Sequence, residues 1–360
     1  MSESRPTVGY RRGRGAVSNA TGRYEGYERV ALDDGWNNLD EEPPPLRTTV
    51  TLDSSRSIIA TNDSPDIPFD QSINPYRGCE HGCVYCYARP THAYLGLSPG
   101  QDFESRLFAK PDADRLLADA LAQPAYRCKL IALGTNTDPY QPVEDRMEIT
   151  RSLLGVLAEH DHPVEIVTKS QRVVRDIDLL APMAEKGLAR VNLSVTTLNR
   201  KLARGLEPRA ATPARRLDTV RALADAGIPV GVMIAPIIPA LTDSEMEAIL
   251  DVAAEAGATL AGYVLLRLPH EVKDLFAEWL EVNAPMKAEH VLSLVRGARG
   301  GRLNDADFGK RMCGSGPYAE LIAQRFRLAT RRLGLANERP SLRTDLFHRP
   351  ARIGDQLDLL

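Results

Sequence analysis

Three cysteines fall within eight positions of one short run, Gly78-Cys79-Glu80-His81-Gly82-Cys83-Val84-Tyr85-Cys86-Tyr87. Thiolates at this CxxxCxxC spacing can hold three corners of an iron-sulfur cluster and leave one iron open. A ferredoxin-type cluster takes four cysteines and a structural zinc site takes four closed ligands. A compact triplet therefore points to a centre that binds a substrate or cosubstrate at its free corner. The competing readings are a Cys3His zinc site completed by His81 or His92, and three unrelated thiols. His81 sits inside the first cysteine gap, where its short tether strains simultaneous ligation, and structural zinc ligands usually come as two separated pairs. With only five cysteines among 360 residues, chance clustering is a poor account of the triplet.

With an aromatic residue, Tyr85, just before the third cysteine, the motif resembles the signature of the radical S-adenosylmethionine (SAM, AdoMet) superfamily. The flanks Ser72-Ile73-Asn74-Pro75-Tyr76-Arg77-Gly78 and Tyr87-Ala88-Arg89-Pro90-Thr91-His92 narrow the resemblance to the branch of spore photoproduct lyase and "DNA repair photolyase"-like proteins. The resemblance implies that Cys79, Cys83 and Cys86 hold a 4Fe-4S cluster, that its open iron takes the amino and carboxylate groups of AdoMet, and that Tyr85 packs near the adenine. It also implies reductive cleavage of AdoMet to a 5'-deoxyadenosyl radical that abstracts hydrogen from a substrate. A nucleic-acid lesion is one substrate class it offers, and flavodoxin or ferredoxin is the kind of electron donor it calls for.

The elements that must position such a loop are legible from residue 70 onward, where short apolar runs alternate with amphipathic stretches, the mark of βα units and a parallel sheet. Strands are expected over 72–76, 129–133, 164–168, 190–195, 230–235 and 262–267. Helices are expected over 113–122, 148–160, 173–186, 213–226, 243–256 and 269–282. Six units with the cysteine loop after the first strand match the α/β, partial (β/α)6 TIM-type barrel that the resemblance implies. In parallel barrels the reactive groups gather at the C-terminal strand ends, so each candidate must lie just past a strand.

Past the second strand, Gly134-Thr135-Asn136-Thr137-Asp138 stands where the family often carries Gly-Gly-Glu, and Asn136 or Asp138 would serve the AdoMet amino group. A plain turn is the alternative there, since Asp-Pro and Gln-Pro follow. Past the third, Lys169 brings an ammonium that would pair with the AdoMet carboxylate or a substrate anion. On the fourth, Asn192, Ser194 and Thr196 share one face, and Ser194 is the expected ribose contact. Arg204, Glu207 and Arg209 follow on a segment able to close over a cofactor, or one that simply enters a helix through a salt bridge. Past the sixth strand, Arg267 and His270 would face substrate. Cys313, on a glycine-rich tract, is a candidate hydrogen donor by likeness to the extra cysteine of spore photoproduct lyases; a structural thiol is the alternative, as it is for Cys128.

Three segments emerge: a polar, partly disordered leader over 1–68 containing Arg11, Arg12, Arg14 and Glu42-Pro43-Pro44-Pro45, a core over 69–283, and a helical extension over 284–360. The basic cluster Arg200, Lys201, Arg204, Arg209, Arg215 and Arg216 reads as a solvated surface. A net charge of -3 does not announce a nucleic-acid binder. No apolar run approaches the ~18 residues of a membrane span, the start carries no secretory signal, and clustered, odd-numbered cysteines fit a reducing compartment; the cytoplasm is expected, with no membrane partner. Two other function classes stay open: an iron-sulfur electron-transfer or partner-binding protein that does not cleave AdoMet, and a zinc-stabilised nucleic-acid-binding module.

Overall fold

The computed structural model of the protein describes residues 13–26, 45–336 and 340–351. Strands β1 (Thr49–Leu52), β2 (Ile59–Thr61), β3 (Gln71–Ile73) and β4 (Tyr76–Arg77) precede the cysteine run. A 3-10 segment over Arg89–Leu95, α1 (Gln101–Ser105), β5 (Arg106–Ala109) and α2 (Ala113–Leu121) then lead to β6 (Ile131–Leu133). From there strands and helices alternate: α3 (Glu144–Met147) and α4 (Ile149–Glu159), β7 (Val164–Thr168), α5 (Ile177–Glu185), β8 (Ala189–Ser194), α6 (Arg200–Leu206) and α7 (Pro213–Asp225), β9 (Val230–Ile237), α8 (Met246–Glu255), β10 (Leu260–Leu265) and α9 (Val272–Asn283). Helices α10 (Ala288–Gly297) and α11 (Pro317–Leu333) follow.

The strands β3, β6, β7, β8, β9 and β10 pair in parallel and in chain order, and β2 adds antiparallel to β3. The α/β winding expected from the sequence is thus present as an open sheet ending at β2 and β10, with no closed barrel among the described residues. The first strand is shorter than its apolar pattern suggests. Pro75 has no N–H to give to a ladder, so pairing ends at Ile73 and the chain resumes as β4 in a second sheet with β5 and β1.

Alternation sorts the strand side chains. Val191 and Leu193 of β8 join Val230, Val232 and Ile234 of β9 in the core beneath the helices. On the opposite face, Arg190 and Asn192 are buried with Glu165, to which they donate at 2.8 and 2.6 Å. Gly231 makes room for this cluster, since a Cβ there would lie 2.2 Å from Asn192 Oδ1.

The described C-terminal residues strap the N-terminal ends of the strands. Arg190 donates to the Pro340 carbonyl (2.8 Å), the Arg343 amide donates to the Gly187 carbonyl (3.0 Å), and Phe347 packs edge-on against Tyr126 and His162. The outer edge of β10 is covered as well, its Ala261 and Leu265 amides donating to the carbonyls of Ala336 and Met312.

The segment read as a leader is corrected where it is described. Arg14, Ala16 and Ile58 are buried, and β1 pairs with β5. Composition misled here because the polar groups of this segment are satisfied by partners far along the chain. Arg11, Arg12 and Glu42-Pro43-Pro44 lie outside the described residues. Among the described residues no helix is long and apolar enough to cross a membrane.

Candidate functional site

The cysteine loop is a chain of tight turns. The amides of Gly82, Cys86 and Arg89 each donate, at 3.2 Å, to the carbonyl three residues earlier, at Cys79, Cys83 and Cys86. Gly82 adopts φ +67, and a Cβ there would press to 2.7 Å from Glu104 Oε2. Arg89, wholly buried, staples the loop from beneath: it donates to the carbonyls of Cys83 (2.8 Å) and Gly82 (3.0 Å), to those of Pro99 and Gly100, and to Glu104 Oε1 (2.5 Å). Glu104 also accepts from the amides of Gly15 (2.9 Å) and Ala16 (2.8 Å), while Arg14 donates to the Glu104 carbonyl (2.6 Å). A Cβ at Gly15 would fall 1.8 Å from the Gly82 carbonyl oxygen, so the N-terminal segment lies directly on the loop.

All three thiols are free, with Cys79 and Cys83 buried and Cys86 half-buried. Burial pushes their pKa values upward; nearby Asp138 adds to the effect at Cys79 and Glu207 at Cys83. Thiolates crowded into such surroundings need a compensating cation, and a metal centre supplies one. Among the described residues no three His, Cys, Asp or Glu side chains converge on one point as a single-ion site requires. A cluster spreads its ligands over separate irons, so three uncommitted thiols, two buried and one half-buried, on a turn-rich loop fit it better than a zinc ion. Of the two histidines considered as zinc ligands, only His92 is hydrogen-bonded elsewhere. His92 has Nε2 2.9 Å from the Arg106 carbonyl and its ring against Phe103, and buried His81 has Nδ1 3.3 Å from Asp138 Oδ2, an ion-pair approach that falls short of hydrogen-bond alignment.

The strand ends bring further groups to this loop. Helix α6 is capped by Asn199, whose side chain accepts from the amides of Lys201 and Leu202, and α7 by Thr212, with Pro213 in its first turn. Between these helices, Glu207 is buried and accepts from Arg216, from the Tyr85 hydroxyl and from Thr196 Oγ1 (2.8 Å). Burial opposes its ionisation, but Arg216, Lys169 and Tyr85 outweigh that and hold Glu207 down at about 2. Arg216 also donates to the Ser194 carbonyl at 2.8 Å. Lys169 points the same way, with Nζ 3.3 Å from the Ala235 carbonyl, 4.0 Å from Glu207 and 6.0 Å from the centre of the Tyr85 ring. The 204–209 segment docks on the cysteine loop through Val84 N to Leu206 O (3.0 Å) and Arg209 N to His81 O (3.3 Å).

Past β6, Asn74 Oδ1 accepts from the amides of Asn136 (3.0 Å) and Thr137 (3.3 Å), and the Asn136 side-chain amide has no hydrogen bond among the described residues. Asp138 is committed: Oδ1 accepts from Thr168 Oγ1 (2.7 Å) and the Tyr140 amide (2.9 Å), and Oδ2 from the Lys169 amide (2.8 Å). Burial opposes its charge, yet His81 and these donors hold its pKa down to about 2. Ser194 ends β8, buried. Cys313 is not gathered with these groups. It is exposed and lies beside the Tyr263 hydroxyl, on a ring that packs against Phe326 of α11. His270 is exposed at the rim, 3.3 Å from Arg23.

Sequence reading missed the roles of Arg89, Glu104, Arg14 and Asn74, which are visible only in their buried partners. It placed Arg216 on a solvated surface. Arg200, Lys201, Arg204, Arg209 and Arg215 are exposed as expected, but Arg216 is buried against Glu207.

An open parallel α/β sheet with a cysteine triplet past its first strand defines a class of radical enzymes, and the comparisons agree. The chain belongs to the radical SAM superfamily, which residues 73–253 match. An uncharacterized protein of Mycobacterium tuberculosis is 38% identical over 232 residues, covering 64% of this chain and 68% of that protein. An uncharacterized protein of Methanocaldococcus jannaschii is 30% identical over 173 residues, covering 48% and 62%. The fold is similar to that of spore photoproduct lyase complexed with dinucleoside spore photoproduct, with a TM-score of 0.57 and 17% identity over 79% of this chain and 80% of that one. Membership of the superfamily implies a 4Fe-4S cluster and SAM as cofactors and an enzyme of radical chemistry.

Proposed function

We propose that Cys79, Cys83 and Cys86 ligate a 4Fe-4S cluster and that AdoMet binds beside it at the strand ends. When bound, cluster and cofactor supply a 5'-deoxyadenosyl radical that abstracts hydrogen from the substrate. The observation that carries this reading is the set of three free, largely buried thiols on a loop held rigid by Arg89 and Glu104, beside the Tyr85, Glu207 and Lys169 network. Tyr85, its hydroxyl tied to Glu207, presents its ring to the adenine. The Asn136 amide serves the AdoMet amino group, Lys169 the carboxylate and Ser194 the ribose. Asp138 acts as a positioning residue that holds the Lys169 backbone. The exposed setting of Cys313, away from this network, gives no support to a hydrogen-donor role.

The fold shared with spore photoproduct lyase, whose complex holds a dinucleoside lesion, makes a nucleic-acid lesion the first substrate class to test. A flavodoxin- or ferredoxin-type donor in a reducing compartment such as the cytoplasm suits a site built on free thiols. The core is taken as residues 69–283 and the extension as 284–360, of which Met312 and Ala336 cover the open edge of β10.

Anaerobic reconstitution followed by dithionite and AdoMet tests the reading. 5'-Deoxyadenosine formation, lost with the cluster in Cys83→Ala, is the expected result. A redox-active cluster without cleavage would instead make the chain an electron carrier, and colourless zinc-loaded protein would make it a zinc module.

A further inference from the structure

Arg267 stands two residues past β10, at the same end of the sheet as the cysteine loop, and its guanidinium lies over the ring of Tyr87 at 4.4 Å from the centroid. Tyr87 directly follows Cys86 and donates its hydroxyl to the Thr135 carbonyl past β6, so the pair bridges the cysteine loop and two strand ends. The neighbouring Leu266 and Leu268 pack in one cluster with Cys83, Val84 and Tyr85.

Two further guanidinium groups lie near Arg267, and both are spoken for. Arg311 pairs with Asp66 at 2.6 Å. Arg299, fully buried, donates to the carbonyls of Leu265, Leu266, Lys310 and Arg311. Arg267 has no hydrogen bond and no ion pair among the described residues. Burial lowers its pKa and the charge of Arg311 lowers it further, outweighing the opposing effects of Tyr87, Cys86 and Asp66. A part-buried cation without an acceptor is costly unless a ligand supplies one. The tyrosine ring occupies one side of the guanidinium, which leaves its N–H edge for an in-plane, two-point acceptor, the geometry of a carboxylate or phosphate.

We propose that Arg267, seated on Tyr87, is a substrate-anion site: it receives an oxyanion of the substrate, a phosphate or carboxylate group, at the mouth of the radical site. The assignment rests on the radical SAM reading above for its place beside the cofactor. It narrows the substrate to a molecule carrying an oxyanion near the position that loses hydrogen.

Inorganic phosphate is the probe. Cluster-loaded protein saturated with AdoMet is titrated calorimetrically at constant ionic strength, alongside Arg267→Gln and Arg267→Lys. Saturable phosphate binding by the natural protein is expected, weakened at least tenfold in Arg267→Gln and at least threefold in Arg267→Lys, which keeps the charge but not the fork. The AdoMet dissociation constant should move less than twofold. Should Arg267→Gln not fold, the lysine variant decides. Phosphate affinity equal across the proteins, or no saturable binding, overturns the assignment. Loss of AdoMet affinity instead of phosphate affinity overturns it too, by reassigning the oxyanion to the cofactor's own carboxylate. Failure of the radical SAM reading looks different: the natural protein would not cleave AdoMet, whether or not it bound phosphate.

Discussion

Glu207 joins several parts of the candidate site, receiving Tyr85, Thr196 and Arg216 while Lys169 stands 4.0 Å away. Its two oxygens do different work: Oε2 neutralises Arg216, and Oε1 sets the angle of the tyrosine ring through the phenol hydroxyl. Glu207→Gln keeps the shape but strands the Arg216 charge. Breaking a buried ion pair on one side costs about 3–5 kcal/mol, so the variant should unfold at markedly lower denaturant, while Tyr85→Phe, which removes a hydrogen bond to a charged group, should cost about 1.5–3 kcal/mol. Urea unfolding of the two variants checks the order; an equal or reversed effect would mean that the tyrosine hydroxyl, not the ion pair, holds this corner. At this scale the placement of the cysteines, Tyr85 and Lys169 near the strand ends was legible in the sequence because spacing and place after a strand are local properties. The roles of Glu207 and Arg216 were not, because nothing in a run of six basic residues marks which one turns inward.

The elements show why the sheet stays open and how its ends are finished. Edge strand β10 is covered by Ala336 and Met312, and the N-terminal strand ends are strapped by residues 340–351. Under that strap, His162 has Nε2 2.7 Å from the Tyr126 hydroxyl and its ring against Phe347, and burial holds its pKa down to about 4. His92, between Phe103 and Phe108, is likewise held at about 4 by burial. Each ordinarily titrates at 6.5, so the unfolded chain takes up these protons before the folded one does. Stability should therefore be full above about pH 6.5 and fall as the pH drops from there toward 4, by up to ~3 kcal/mol for each group. Melting temperatures of the apo-protein between pH 7.5 and 4.5 check this. His162→Gln should flatten part of the slope, and an unchanged slope would assign the acid sensitivity elsewhere. Strand and helix order was legible at this scale because periods of 2 and 3.6 are written into short windows. The split of the first strand at Pro75 and the second sheet were not, since the partner of β4 lies about thirty residues on.

Across the whole molecule, the two ends of the open sheet are joined by side chains rather than by a ladder. Asp66, in the hairpin between β2 and β3, accepts from Arg311 Nε (2.6 Å) and from the Gly309 amide (2.7 Å) in the loop before α11, and Arg311 also donates to Ser64. Asp66→Ala should release that loop: limited proteolysis within 305–313 is expected to quicken severalfold while amide exchange in β7, β8 and β9 stays unchanged. Exchange that rises throughout the sheet would show the bridge to be part of the global fold. By itself the sequence determined the cysteine triplet and its spacing, the superfamily, the parallel α/β order and the strand ends from which a site is drawn. Each of these depends on residues a few positions apart or on a repeating period. Only the tertiary structure decided that Gly15 lies on the cysteine loop, that Glu104 binds backbone amides 88 and 89 positions away, and that Arg216 is buried against a carboxylate while Arg267, stacked on Tyr87, has no hydrogen bond or ion pair among the described residues. Whether a charged side chain is solvated or buried depends on what the fold brings against it, and no local pattern carries that information.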